Sequence, residues 1–385
     1  MPTLNVTIVK GNIVTLYGGH IIVVGDTIHA VAASDIPIPS AEELQESLLA
    51  KATSTNNDIK GATIMLQTME APFVIPGFVD IHNHGVGGID EVCDHWTVPE
   101  FSQKHLAKCG TLSTLASVIF SSNRPEATMK VIRSIESRVG NYYDNCCVIE
   151  GVHAEGPIIA DCGGLPQSET DMNLDAFKRL CGEMPNLKIM TISPSKEKLV
   201  GYERLRHLLE LGVRPSLGHD RSAPAEAIVA CMKLASEVEA EKRKKQSARM
   251  GGGLPAQNAA GTTNNGSSSG NLQGGSSTQQ QSPSRPQQQG TTGQHPEQLH
   301  STHLYNVMSA HHREPSPVNF CLCNRLPAGK KYRGCVPPTV EVIADLIHVH
   351  PVAIQALFSS RSHHDIAIIS DCISQYEPGK HLKYN

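Results

Sequence analysis

The sequence lacks several features that would place it in a familiar class of protein. Its 11 cysteines show no paired Cys-x-x-Cys spacing, so neither a zinc ribbon nor a disulfide scaffold is predicted, and reduced thiols are the simplest interpretation. No apolar run approaches the roughly 18 residues that span a bilayer, and the N-terminus lacks the pattern of a signal peptide. The formal net charge of -4 gives no reason to expect nucleic acid or a membrane surface as a partner. We expect a soluble, cytoplasmic protein.

The N-terminal part of the chain has the pattern of a small β unit. Residues 4–34 contain short apolar runs separated by glycine-containing dipeptides, which is typical of hairpins, so we predict an antiparallel arrangement. Residues 37–62 indicate a surface excursion with one or two helical turns, and residues 63–82 then lead into a main domain. The predicted domains are therefore 1–74 and 75–385.

From Phe78 onward, strand-like and helix-like segments alternate. Strands are predicted at residues 78–84, 113–120, 148–154, 188–194, 214–219, 300–305, 340–347 and 365–371. Because this alternation is typical of parallel strands joined by helices, an α/β fold of the (β/α)8 TIM barrel type is the first choice. A doubly wound open sheet is the alternative.

One segment is predicted to stand outside this architecture. Residues 246–298 are rich in Gly, Ser, Gln and Asn and contain almost no large apolar side chain. Burial of so little apolar surface cannot offset the conformational entropy that the segment would lose on folding. We expect a disordered insertion in the barrel domain. The helix predicted before it, at roughly residues 224–249, contains a basic run that is more simply a solvated face than a binding patch.

Polar residues occur at the ends of the predicted strands. His82 and His84 end the first strand two residues apart, so their side chains point to the same face of an extended chain. The ends of later strands supply Glu155, His219, His303, Asn306, His348 and Asp371. Because the active sites of barrels lie at the carboxyl ends of the strands, we expect these side chains to converge.

Such imidazoles and carboxylates would suit one or two zinc-like ions with positions left open for water. Each residue also has a simpler interpretation. About one His-x-His pair is expected by chance among 19 histidines, a buried histidine often only bonds to a carbonyl, and a strand-end aspartate is often a helix cap. A whole set at the same end of the strands is much harder to explain in these ways.

Six motifs make the sequence similar to a known family. They are PGFVDIHNHG (76–85), GVHAEGP (151–157), SLGHDRSAPAEA (216–227), THLYNVMSAHHREP (302–315), IADLIHVHP (343–351) and ISDC (369–372). With them the chain resembles the N-acetylglucosamine-6-phosphate deacetylases of the amidohydrolase superfamily, from about Asn5 to the C-terminus without the insertion. The fourth motif is very specific to that family, whereas the His-x-His pair is shared by most amidohydrolases.

The resemblance implies metal-dependent deacetylation of N-acetylglucosamine 6-phosphate to glucosamine 6-phosphate and acetate, in amino sugar catabolism. The residues that match the principal metal ligands are Glu155, His219 and His303. The pair that some members use for a second ion matches His82 and His84. The catalytic aspartate matches Asp371. The positions that hold the sugar phosphate match Asn306, Val307, Arg313 and His348.

The resemblance also implies a divalent metal, zinc in the first instance, and a small N-terminal β-sandwich-like domain. It implies a homodimer in which Arg313 reaches the neighbouring subunit's site. Three departures stand against the family pattern. Leu165 and Pro166 replace a loop histidine that lies near the acetyl group, the insertion separates His219 from His303, and the chain stops at Asn385, soon after strand eight. Members continue with strands that complete the small domain, so we expect this chain to be aggregation-prone and less active than a full-length relative.

Two other functions remain open from the sequence. Another amidohydrolase, acting on a cyclic or peptide-like amide, would use a carboxylated lysine on strand four, where the sequence offers only Lys188 at the strand's beginning. A truncated, catalytically weak family member that acts by binding is the second alternative, and the early end of the chain and the missing loop histidine keep it open.

Overall fold

The computed structural model describes residues 3–13, 19–24, 27–51, 63–86, 96, 98–250 and 298–372. Two compact units divide the chain, Met1–Phe78 and Val79–Asn385. Of the predicted insertion, residues 251–297 lie outside the described residues. Residues 246–250 are the last residues of a long helix, so the start predicted for the disordered segment is wrong by a few residues.

The strands are β1 (Thr3–Ile13), β2 (Gly19–Val24), β3 (Thr27–Ala33), β4 (Thr63–Val74), β5 (Phe78–Asn83), β6 (Thr111–Ile119), β7 (Val148–Glu155), β8 (Leu187–Ile192), β9 (Arg214–Leu217), β10 (His300–Ser301), β11 (Val340–Ile343) and β12 (Ile366–Ile369). The helices are α1 (Ala41–Lys51), α2 (Pro99–Lys108), α3 (Pro125–Glu136), α4 (Leu174–Gly182), α5 (Pro194–Lys198), α6 (Glu203–Leu211), α7 (Ala225–Met250), α8 (Pro317–Cys321) and α9 (Pro351–Ser360). Among the described residues, no helix combines the length and the apolar character needed to cross a membrane.

The first unit contains one four-stranded sheet in the order β3-β2-β1-β4. The β1–β2 and β2–β3 pairs are antiparallel, as predicted. Two details of the prediction are wrong: β1 runs on through Lys10 and Gly11 without a turn, and residues 63–74 form β4, parallel to β1, instead of a connection. Leu44 of α1 packs with Val6, Ile8 and Ile22 in the small core. The described residues of this unit form a single sheet, so a β-sandwich is not confirmed.

The second unit contains a parallel sheet in the order β10-β9-β8-β7-β6-β5, and a parallel pair, β11-β12. Hydrogen bonds connect the two sheets at both ends. The Leu304 N–H donates to the Glu341 carbonyl at 2.8 Å, and the Asp371 N–H donates to the His82 carbonyl at 3.0 Å. A parallel bridge also joins Asn83 to Cys372. All eight predicted strands of this unit exist, and the α/β class is confirmed.

Six of the eight strands are shorter than predicted, and the sixth and seventh differ most, by four residues each, which leaves functional residues in the turns after them. The sixth strand ends at Ser301, because the chain then turns through left-handed backbone at His303, Tyr305 and Val307. The seventh ends at Ile343, which leaves His348 in the turn before α9. Short strands and long turns are common at the functional end of a parallel sheet.

Several helices of the second unit pack an apolar face against the core, and α3 shows the pattern clearly. In α3, the buried Val131, Ile132 and Ile135 recur at helical spacing and join the core cluster that contains Ile149 and Val152 of β7. A proline at the first helical position suits the start of α3, where its missing N–H is not needed. These contacts hold the strand ends in fixed positions.

A buried ion pair fastens α5 to α6 in the same unit. Arg204 is almost fully buried and donates from Nε to Glu197 Oε1 at 2.7 Å, while its other nitrogens donate to three backbone carbonyls. Glu197 also accepts from the Leu205 N–H at 3.0 Å. Burial raises the pKa of Glu197, although Arg204 opposes this shift. Removing one partner would leave the other charge buried and uncompensated.

We predict that Arg204→Met lowers the free energy of unfolding by about 3–5 kcal/mol, the usual cost of breaking a buried pair. Urea denaturation measures the change. The control is Arg206→Met on the same helix, since Arg206 is partly exposed and lies 3.7–4.0 Å from its acidic neighbours. This control should cost no more than about 1 kcal/mol. Equal effects of the two substitutions would contradict the prediction.

Candidate metal centre

Six polar side chains meet at the carboxyl ends of the parallel strands. They are His82 on β5, His84 just after it, Glu155 at the end of β7, and one residue two positions after each of β9, β10 and β12, namely His219, His303 and Asp371. Parallel strands bring their carboxyl ends to one edge, which explains why residues so distant in sequence lie together. The four histidines and Glu155 are buried, and the Asp371 side chain is 20% exposed.

Glu155 lies at the centre of the cluster, with a different pair of histidines at each carboxylate oxygen. Its Oε1 lies 2.8 Å from His219 Nε2 and 2.9 Å from His303 Nε2, and these two nitrogens are 3.0 Å apart. Its Oε2 lies 3.1 Å from His84 Nε2 and 3.7 Å from His82 Nε2. We call these sets the Glu155–His219–His303 group and the His82–His84–Glu155 group.

Asp371 faces the second group. Its Oδ1 lies 3.5 Å from His82 Nε2 and 3.3 Å from His84 Nε2, and the two histidine nitrogens are 3.2 Å apart. Its backbone N–H is bound to the His82 carbonyl. The carboxylate is therefore held at the partly exposed edge of an otherwise buried group.

The hydrogen bonds at the far side of two rings decide where their lone pairs point. His219 Nδ1 lies 2.8 Å from the Asp161 carbonyl, and His82 Nδ1 lies 2.6 Å from Glu341 Oε1. Both partners are acceptors, so Nδ1 carries the hydrogen in each ring and Nε2 of the neutral ring presents a lone pair. Those lone pairs face carboxylate oxygens and other imidazole nitrogens. Such an arrangement is repulsive unless a cation lies among the donors.

The donor set fits a zinc-like ion. In each group the donor atoms lie within 4.8 Å of one another. Ligands about 2.0–2.1 Å from a tetrahedral ion are roughly 3.4 Å apart, close to the separations seen here. Imidazole and carboxylate donors suit zinc and related divalent metals. The buried His/Glu groups can therefore hold a metal ion.

The electrostatics of the metal-free cluster agree with this assignment. Burial on its own would lower the pKa of His84, but hydrogen bonds to Asp371 and Glu155 outweigh it and raise the pKa to about 9. Burial would raise the pKa of Asp371, but the charges of His82 and His84 hold it at about 2. Burial would raise the pKa of Glu155, but His82, His219 and His303 hold it well below its ordinary value. Protons supply the required positive charge here, and a bound metal would displace them.

Three members of the cluster have left-handed backbone although none is glycine. The φ angles are 52° at His219, 25° at His303 and 45° at Asp371. Such conformations cost of order 1–3 kcal/mol each and persist where the surroundings enforce them, which is frequent at functional sites. Each of these residues follows its strand by two positions, so the sharp turn aims the side chain back over the strand end.

Comparison with known proteins gives a consistent answer. No protein-family model matches the sequence. The chain is 23% identical over 332 residues to an N-acetylglucosamine-6-phosphate deacetylase of Bacillus subtilis, covering 82% of this chain and 64% of that protein. It is also 23% identical to the Homo sapiens protein of that name, covering 77% and 57%. A solved Mycobacterium smegmatis deacetylase in complex with N-acetyl-D-glucosamine-6-phosphate matches with TM-score 0.54 and 17% identity, covering 96% of this chain and 71% of that one.

The chain is similar to N-acetylglucosamine-6-phosphate deacetylases. The likeness covers both the sequence and the fold. At the same time, the chain spans only about two thirds or less of the length of the curated deacetylases it matches.

The residues expected to hold a sugar phosphate in a deacetylase occupy different places. Asn306 lies beside Val307 in the turn after β10, and its amide nitrogen is buried with no hydrogen-bond partner among the described residues. Arg313 lines a cavity of about 600 Å³ together with Arg221, Lys331, His311, Glu226 and Glu314. The ring of His348 bonds to Asp345 Oδ2 at 2.7 Å. Arg313 and His348 belong to neither metal-binding group.

The loop that lacks the deacetylase histidine lies close to the metal centre. Gly163 has φ +61°, and a Cβ there would lie 2.6 Å from a Val307 methyl and 3.8 Å from the His219 ring. A side chain at this position would therefore collide with the turn after β10. Asp161, on the same loop, holds the His219 ring through its carbonyl. Lys188 is exposed at the start of β8, far from the position that a carboxylated-lysine ligand requires.

Sequence reasoning missed three buried residues that surround the cluster: Asp80, His153 and Glu341. Asp80 accepts hydrogen bonds from the Asn83 side chain at 3.1 Å and from the Ser370 hydroxyl at 2.5 Å, which links β5 to the end of β12. His153 and Glu341 form a third group with His82 that could hold a metal. The available signal was a charged residue within an apolar run, as in Phe78–Asn83 and Val340–Ile343.

We predict that metal-free protein binds Zn²⁺ and that Glu155→Gln weakens binding at both groups, because each group uses one oxygen of this carboxylate. His219→Ala should weaken only the Glu155–His219–His303 group. Both losses should exceed the roughly 10–100-fold that follows removal of a supporting contact. Titration against a chromophoric chelator measures the affinities. His207→Ala, on the partly exposed face of α6, is the matched control, and unchanged Zn²⁺ affinity in His219→Ala would contradict the assignment.

Proposed function

We propose that this chain is a metal-dependent amidohydrolase that deacetylates N-acetylglucosamine 6-phosphate, giving glucosamine 6-phosphate and acetate. The observation that carries the proposal is Glu155 held between two histidine pairs, with Asp371 facing one of them. The similarity to deacetylases in sequence and fold supports the substrate. The reaction would belong to amino sugar catabolism in the cytoplasm.

The proposal includes the architecture. The eight strands of the second unit, connected by hydrogen bonds at both sheet ends, support a closed (β/α)8 barrel. The domains would be 1–74, a small β domain, and 75–385, the barrel, with an insertion that begins after the end of α7 at Met250. A homodimer in which Arg313 reaches the neighbouring site is also part of the proposal.

The metal would be zinc, held by Glu155, His219 and His303, with His82 and His84 available for a second ion. When bound, it would supply the Lewis acidity that makes water a nucleophile near neutral pH and polarises the acetyl carbonyl. The protein's own side chains would then position the substrate, exclude water and transfer the proton. Burial of the histidines excludes bulk water from one side, and the exposed edge at Asp371 leaves room for the amide.

Asp371 would act as the proton carrier. Its carboxylate accepts the proton of the attacking water and then delivers it to the amide nitrogen as the C–N bond breaks, so acetate and the free amine leave. The hydrogen bond from its backbone to His82 and its contact with His84 fix it on the open side of the centre.

The phosphate would be bound by groups that the cluster does not use. Asn306 offers a buried amide donor that has no partner in the described part of the chain, suited to an oxygen of the sugar phosphate. Arg313 supplies a guanidinium, whose planar fork of donors matches a phosphate. Arg221 and Lys331 in the same cavity add positive charge near it. His348 would complete the site as a further donor.

The test of the function is acetate release from N-acetylglucosamine 6-phosphate by the purified chain. We expect release that a chelator abolishes and that added Zn²⁺ restores. N-acetylglucosamine without its phosphate should show a lower kcat/KM, because the arginine contacts are absent. Folded, Zn²⁺-loaded protein that releases no acetate from the phosphorylated sugar would rule the function out.

Asp371→Asn should lower kcat by about 10²–10⁴-fold, the usual contribution of a general acid–base group, because the amide keeps the shape but cannot accept the proton. Zn²⁺ content should stay the same. The control makes the same chemical change at Asp171, whose side chain is 92% exposed. Full activity in Asp371→Asn, with loss of activity in the control, would assign proton transfer elsewhere.

A further inference from the structure

Glu341 is a fully buried carboxylate in the middle of β11, where its neighbours along the strand are Val340, Val342 and Ile343. Burying a carboxylate is costly unless it is paired and hydrogen-bonded. Here every described contact of the side chain is to a histidine or its backbone. The carboxylate therefore has its partners at the edge of the metal centre and none in the rest of the core.

Each oxygen of Glu341 has a defined role. Oε1 accepts from His82 Nδ1 at 2.6 Å and from the His303 N–H at 3.1 Å, so one atom touches a member of each metal-binding group. Oε2 accepts from His300 Nε2 at 3.1 Å. The other nitrogen of His300 bonds to the Thr339 hydroxyl at 2.7 Å, which fixes that ring as well. The carboxylate is held from both sides and cannot swing away from His82.

The bond to His82 determines the chemistry of that ring. A carboxylate is an acceptor only, so Nδ1 of His82 must donate, and Nε2 is left with the lone pair that points at His84, Glu155 and Asp371. Without this acceptor the ring could carry its hydrogen on Nε2 and present a donor to the metal position. Carboxylate partners of this kind also make the imidazole a more basic ligand.

The direct alternative is that Glu341 itself binds a metal, since it forms a group with His82 and His153. The hydrogen bonds oppose this role. His82 faces Glu341 with its N–H, and both ring nitrogens of His153 have protein partners, the Ile81 carbonyl at 2.8 Å and the Thr191 hydroxyl at 3.3 Å. A ligand set needs lone pairs turned toward a common point, and here one partner presents a hydrogen.

We infer that Glu341 is a positioning residue that sets the tautomer and orientation of His82 and thereby the metal affinity of the His82–His84–Glu155 group. The inference rests on the metal centre proposed above and is independent of the substrate. In this way β11, the seventh strand of the second unit, helps to build a centre whose ligands come from other strands.

The test is a double-mutant cycle read out as Zn²⁺ affinity of the metal-free protein. Glu341→Gln keeps the shape and removes the charge, and it should weaken the His82–His84–Glu155 group by about 10–100-fold. In the His82→Ala background, the same substitution should change the affinity of the remaining group by less than about twofold. An equal loss in both backgrounds would show that Glu341 acts through His303 or the fold, and would overturn the inference.

Glu197→Gln is the matched control, because Glu197 is equally buried and holds its own basic partner in a different part of the unit. It should lower thermal stability and leave Zn²⁺ affinity unchanged. If Glu341→Gln does not fold, ¹⁵N NMR of the histidine rings in the wild-type Zn²⁺-loaded protein, where Nε2 of His82 is free of its proton, decides the matter. The His82 signal, assigned by its loss in His82→Ala, should show the hydrogen on Nδ1, and an Nε2–H tautomer would contradict the inference. Failure of wild-type protein to bind Zn²⁺ would instead refute the metal centre itself.

Discussion

The arrangement of the second unit's functional edge depends on one constraint: several lone pairs face each other around the Glu155 carboxylate. Fixed tautomers turn the Nε2 atoms of His82 and His219 inward, where carboxylate oxygens already lie. Without positive charge in their midst these donors would repel each other in a region of low dielectric constant, where such repulsion is strong. The raised pKa of His84 and the depressed pKa of Asp371 are two expressions of the same requirement.

A set that requires a cation must be held together by contacts outside it. Asp161 and Glu341 orient the rings from behind, and Glu341 in turn is fixed by His300. Left-handed backbone at His219, His303 and Asp371 shows that the surrounding chain enforces the geometry against local preference. The surrounding chain includes the core of the second unit, in which the helices and strands pack around two apolar clusters.

Most of the fold could be predicted from the sequence because each strand of the second unit is a short apolar run with polar residues after it. Long-range pairing could not. Residues 63–74 form a strand only because β1, some 60 residues earlier, offers a parallel partner, and no local pattern records that register. The predicted sixth strand is too long because the chain after Ser301 turns through left-handed backbone conformations. Histidine and valine, at positions 303 and 307, are not residue types that indicate such a conformation.

The residues of the site also divide into those that the local sequence predicts and those that depend on long-range contacts. His82, His84 and Asp371 could be selected because their place after a strand already suggests a function. Glu341 could not, because a glutamate between two valines is also the pattern of a strand with one solvated face. Its meaning comes from His82, which lies 259 residues away in sequence and 2.6 Å away in space. Which residue contacts Glu341 across such a sequence distance depends on the tertiary fold, so the local sequence does not reveal it.

The position of Asp371 shows how the centre depends on closure of the sheet. This residue is not fixed by its own strand, since β12 ends two residues earlier. Its place is set by the bond from its backbone to His82 and by the neighbouring Ser370, which donates to Asp80 on β5. Both contacts join the end of β12, the last strand, to β5, the first strand of the second unit. Asp371 therefore lies beside the histidines because the end of β12 is joined to β5, so the geometry of the centre depends on that junction.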